Sequence, residues 1–189
     1  MQAVYTDIKI EAIADLMAQC YNARNPPRPV NFVPCFIYLL SQRPKQPAVR
    51  VEPLIFSHEK VLVRKSVDAS QEELDTLEAF ELFCYLGSEK QFVVCNPHRV
   101  GEFWSEPEFH SADGGLGGLK NRGIKGINVF LLRHQFNDTC QKVGLQNPSS
   151  VYVEKMARLM TSEKDEDDAR QVSVFVLSLL ALLVQKYKY

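Results

Sequence analysis

The chain has 189 residues, of which 46% are hydrophobic and 24% charged, an ordinary globular composition whose length suits one domain of moderate size. Twenty-two basic against 23 acidic side chains leave a formal net charge of -1, so no overall basic field draws it to nucleic acid. Met1 to Lys9 is polar and charged, unlike a secretory signal, and five cysteines with no paired spacing read as reduced, mostly buried thiols, which points to the cytoplasm.

Asp7 can cap a first helix whose apolar residues Ile13, Leu16, Met17 and Cys20 recur at three- and four-residue spacing. It should end before Asn25, because Pro26, Pro27 and Pro29 hold the next segment extended. Phe32 to Leu40 reads as a buried strand and Arg43 to Pro47 as a turn. Val49 and Val51, then Val61 and Val63, alternate with polar residues, as two strands joined near Ser57 and His58 would, in an antiparallel sheet.

Ser70 followed three residues later by Glu73 is a capping box, and Leu74, Leu77, Phe80 and Cys84 continue as one apolar stripe up to Gly87. Gln91 to Cys95 reads as a short buried strand. A glycine-rich loop, Gly114 to Gly126, then leads into a helix carrying Ile127, Phe130 and Leu131. Beyond a charge run, Glu163 to Asp168, the nearly all apolar run of 13 residues from Val172 to Val184 falls short of the roughly 20 that span a bilayer. No membrane span is expected there. A helix covered by the domain, by a second copy or by a protein partner is the reading that follows.

The segments NPPRPVNF, RPKQP, VEP, AFELFCY, VVCNPHRVGEFWSEPEFH, NRGIKGINVFLLRH and NDTC succeed one another in an order and spacing that resembles the alpha-kinases, a family of atypical serine/threonine protein kinases. The resemblance implies an α+β fold: a carboxyl-terminal lobe with a small, mostly antiparallel sheet packed by helices. It divides the chain into a leading helix (1–24), the kinase-like lobe (25–145) and a helical tail (146–189). In the family an amino-terminal lobe that carries the phosphate-binding lysine lies ahead of this one, and with about 20 residues before Asn22 the resemblance implies that this sequence is without it.

The same resemblance assigns the site residues. Glu52 matches the linker glutamate beside the adenine pocket. Asn96 stands where the family has an aspartate that orients and deprotonates the accepting hydroxyl, and a carboxamide is no ordinary general base. His98 replaces a glutamine oxygen ligand of magnesium, and its nitrogen suits softer metals. Glu106 retains a carboxylate one methylene longer than the family's. Asn121 and Gly123 match the end of the glycine-rich substrate loop, although Leu116 and Lys120 fill two of its glycine positions.

His134 and Cys140 keep two ligands of the family's structural zinc, while Leu82 and Phe136 replace the other two. ATP and magnesium are therefore cofactors by resemblance only, with weak or absent binding expected, and zinc is not expected on the incomplete set. A catalytically impaired, kinase-like binding or regulatory module with a protein partner or a second copy is the leading expectation. An active ATP-dependent kinase and a tail-anchored adaptor are the alternatives.

Overall fold

The computed structural model describes residues 2–55, 61–66, 68–116 and 118–148. The expected helix over Val172 to Val184 and the joint near Ser57 and His58 lie outside them. The first element, α1 (Gln2–Asn22), buries Ile10, Ile13, Ala14, Met17, Ala18 and Tyr21 along one stripe. Asp7 does not cap it. The helix starts five residues earlier, because nothing between Gln2 and Thr6 is proline or glycine and the chain continues helical through the aspartate. After α1, Asn22 clasps the proline-rich segment: its carboxamide donates to the Val30 carbonyl at 2.7 Å and accepts the Val30 N–H at 2.8 Å.

Strands β1 (Phe36–Leu39) and β2 (Ala48–Val51) form an antiparallel hairpin of their own, Phe36 facing Val51 and Leu39 facing Ala48. The expected buried strand over Phe32 to Leu40 is shorter and largely exposed. Pro34 interrupts it, and Phe36, Tyr38 and Leu39 are each more than half exposed. Nor do the two valine-rich stretches pair with each other. β2 returns on β1, whereas β3 (Val61–Leu62) pairs with the later strand His98–Val100 and runs into a 3-10 turn, Val63–Lys65.

Helix α2 (Gln71–Gly87) is the centre of the molecule. The capping box is formed in both directions, Ser70 Oγ accepting from the Glu73 N–H and Glu73 Oε2 from the Ser70 N–H. Its burial exceeds one stripe: every residue from Thr76 to Tyr85 is buried, because α1, α4, β4 and the 3-10 turn surround it. Phe80 is fully enclosed and meets Tyr21, Phe32 and Trp104 with ring centroids 5.7 to 5.9 Å away.

β4 (Phe92–Cys95) pairs antiparallel with β7 (Glu108–Ser111). Between them the hairpin of β5 (His98–Val100) and β6 (Phe103–Ser105) turns at Gly101, whose φ of 60° suits glycine. Helices α3 (Gly123–Arg133) and α4 (Asp138–Lys142) close the far side. The fold is α+β with small antiparallel sheets, as expected. All five cysteines are free: Cys84, Cys95 and Cys140 are buried, Cys35 is half-buried and Cys20 exposed.

Candidate functional site

A cleft of about 970 Å³ opens between the first half of α1, the end of β2, the β6–β7 connection and the glycine-rich loop. Lys9, Glu11, Arg50, Glu106, Glu108 and Lys120 line it. Asn96 leaves β4 with φ of 50°, a conformation that asparagine tolerates. Its backbone N–H donates to Glu81 Oε1 at 3.0 Å and its Nδ2 to Glu108 Oε2 at 2.9 Å. A carboxylate thus touches the Asn96 carboxamide.

Glu106 links β6 to β7 with φ of 48°, although a residue before proline favours extended backbone. Its N–H donates to Glu11 Oε1 at 3.1 Å, and His98 Nδ1 lies 3.9 Å from its Oε2. Glu11 is itself buried. Its Oε1 also receives Arg50 Nη2 at 2.9 Å, while Oε2 has no partner among the described residues, and burial pushes its carboxyl up to about 7 against the pull of Arg50. Arg50 in turn donates to Cys35 Sγ and pairs with Glu52, so Glu52 reaches the cleft wall through an arginine.

Asn121 pins the glycine-rich loop to β7. Its Oδ1 accepts the Ser111 and Gly123 N–H groups at 3.2 and 2.8 Å, and its Nδ2 donates to Ser111 Oγ and to the Leu116 carbonyl. The carboxamide is engaged within the loop, and Gly123, at φ of 59°, starts α3.

Behind the cleft lies an ionic cluster. Glu81, fully buried, receives Arg64, Arg133 and the Asn96 N–H; Glu78 receives Arg64 and the Gln135 N–H, and His134 Nδ1 lies 2.8 Å from its Oε2. Burial alone would raise the Glu78 carboxyl, but His134 and Arg64 hold it down to about 2. His134 is therefore turned to a carboxylate, Leu82 fills core space and Cys140 is buried beside α2. These residues do not fit a four-ligand zinc. Among the described residues, the three metal-type donors that converge are instead Cys95, Glu108 and His110.

The profile of the alpha-kinase family matches residues 1–140. This chain belongs to the alpha-kinase family. Alpha-protein kinase 1 of Dictyostelium discoideum is 31% identical over 143 residues, covering 76% of this chain and 11% of that protein. Myosin heavy chain kinase B of the same organism is 30% identical over 149 residues (77% and 20%), and mouse eukaryotic elongation factor 2 kinase 28% over 145 (75% and 20%). The chain thus spans a fifth or less of these relatives. Among solved structures, the apoenzyme alpha-kinase domain of myosin-II heavy chain kinase A superposes with a TM-score of 0.67 at 25% identity, covering 79% of this chain and 60% of that one. Its complex with ADP gives 0.64 at 26%, covering 77% and 61%.

In this alpha-kinase chain Asn96 touches Glu108 and His98 lies beside Glu106, both glutamates lining the cleft. Of Asn96, His98 and Glu106, only Glu106 brings a carboxylate, and it faces an imidazole. The motifs exposed these three positions. They gave no sign of Glu11, Arg50, Glu81 or Glu108, although a glutamate inside the apolar stripe of α2 and the alternation Glu108, His110 along a strand were readable signals.

Proposed function

We propose that this chain is a catalytically impaired alpha-kinase lobe that acts as a binding or regulatory module. The observation that carries the reading is the neutral Asn96 in the base position, hydrogen-bonded to Glu108 and backed by Glu81. A carboxamide in that bond orients a neighbour but accepts no proton at neutral pH. With His98 at a magnesium position, nucleotide binding in the cleft is weak and little dependent on magnesium. The exposed apolar residues of the β1–β2 hairpin, Phe36, Tyr38 and Leu39, give a protein partner or a second copy a surface to meet.

The test is phosphate transfer to a serine/threonine substrate with ATP and magnesium, beside a thermal-shift titration of nucleotide with and without the metal. No transfer and a small, metal-independent shift are expected. Robust turnover that disappears in Glu106→Ala would establish an active kinase instead. Recovery of transfer in Asn96→Asp would show that the base substitution alone is the defect. For a tail-anchored adaptor, the discriminating result is a full chain that needs detergent while a truncation before Gln171 does not; among the described residues no helix is long and apolar enough to cross a membrane.

A further inference from the structure

Cys95 ends β4 directly opposite Glu108, and His110 stands two residues further along β7, so all three project from one face of the two-stranded sheet. A thiol sulfur, a carboxylate oxygen and a ring nitrogen meet there, each within 4.8 Å of the other two. The His110 ring is held in place. It rests on Gly126 of α3, where a Cβ would come within 2.4 Å of two ring atoms, and the Arg122 N–H reaches Nδ1 at 3.4 Å, which leaves Nε2 directed at Glu108 Oε2, 3.7 Å away. Cys95 and His110 are buried, while Glu108 lines the cleft and gives an ion its way in.

We propose that Cys95, Glu108 and His110 form a zinc site at the floor of the cleft, with a fourth position open to water or to a ligand in the cleft. The donor set selects the metal. Thiolate and imidazole are poor partners for magnesium or calcium, the carboxylate is a poor one for copper(I), and three mixed ligands with one open position are a common zinc arrangement. The surroundings orient one of the ligands, Glu108. Asn96 Nδ2 fixes the Glu108 carboxylate at 2.9 Å, and Arg122, more than half exposed and 3.8 Å from the same oxygen, is free to swing out when a cation enters. On binding, the Cys95 thiol releases its proton to solvent, the ring proton moves from Nε2 to Nδ1 with loss of the long Arg122 contact, and no oxidation state changes. The site shares no residue with the incomplete His134 and Cys140 set, and it stands whether or not phosphate transfer occurs.

The experiment uses the full chain equilibrated with zinc, desalted and assayed for bound metal, with affinity from competition against a chromogenic chelator. One zinc per chain is expected, and cobalt(II) in its place should show a thiolate charge-transfer band. Cys95→Ser and Glu108→Gln should each weaken binding by at least about 100-fold and Asn96→Leu by about 10-fold, whereas Cys140→Ser should leave both metal content and band unchanged. Glu108→Gln alters a cleft-lining side chain and keeps its shape, so its result stands even where the buried Cys95→Ser fails to fold. Zinc absent from the folded parent chain, zinc retained by Glu108→Gln with unchanged affinity, or zinc lost from a folded Cys140→Ser would each overturn the proposal.

Discussion

Glu81 and Glu11 are both buried carboxylates, yet their surroundings differ. Glu81, in the middle of α2, is met by two arginines and a backbone N–H, and with Glu78 it forms a cluster in which two carboxylates balance two guanidinium groups. Glu11, on the cleft wall, has Arg50 and one N–H on a single oxygen, and the other oxygen has no partner among the described residues. Burial raises the Glu81 carboxyl against the pull of Arg64 and Arg133, but both of its oxygens are met. Burial raises the Glu11 carboxyl as well, to about 7, and there only one oxygen is met.

The comparison predicts opposite responses to neutralisation. Glu81→Ala leaves Arg64 and Arg133 without their shared partner and should lower stability by about 3 to 5 kcal/mol in urea unfolding. Glu11→Gln should do no such harm near neutral pH; equal losses in the two variants would abolish the distinction.

The pH profile sharpens it. The folded pKa of Glu11 is raised from 4.5 to about 7, so the stability it confers is fully present below 4.5 and is lost as pH rises through about 7, by roughly 3 kcal/mol. Glu78 runs the other way. Its folded value is depressed to about 2, so its contribution is present above 4.5 and is lost as pH falls toward 2. Chemical unfolding across that range should show a decline on the neutral side that Glu11→Gln removes and an acid-side decline that it leaves in place.

A smaller effect is expected where core and cleft meet. Asn96→Asp sets a second carboxylate beside Glu108, which the carboxamide now contacts at 2.9 Å, and partial exposure holds the repulsion to about 1 to 2 kcal/mol. Acidification that protonates one of the pair should erase the loss, as should Glu108→Gln in the same chain. A variant as stable as the parent at neutral pH would mean that Glu108 turns away freely.

The sequence made these two regions unequally readable. α2 announced itself through Ser70, Glu73 and its apolar period, and β4 through a short apolar run, because those signals are local. β5 and β6 span three residues each, too few for alternation to register, and the apolar run at Phe36 to Leu39 read as buried although it lies on an exposed hairpin. The family resemblance singled out Asn96, His98 and Glu106, whose motif segments are continuous in the sequence. The bond between Glu11 and Glu106 spans 95 residues, and no periodicity reports a contact made by the folding of distant segments.

The smallest expected change falls on the feature most plainly written in the sequence. Ser70→Ala removes the hydroxyl that accepts the Glu73 N–H at 3.2 Å, leaving one amide at the start of α2 without its side-chain partner. The reciprocal half survives, since Glu73 Oε2 still receives the Ser70 backbone N–H, and both Glu73 oxygens remain 3.0 Å from Arg99 of β5. Ser70 is exposed, so water can replace the lost acceptor, and the cost should be about 1 kcal/mol. Glu73→Ala should cost clearly more, because it frees Arg99 as well as the cap and so loosens β5, the strand on which His98 stands. Equal midpoints for the two variants in thermal unfolding would show that the Glu73 and Arg99 pair adds nothing, and that the helix start is held by the capping box alone.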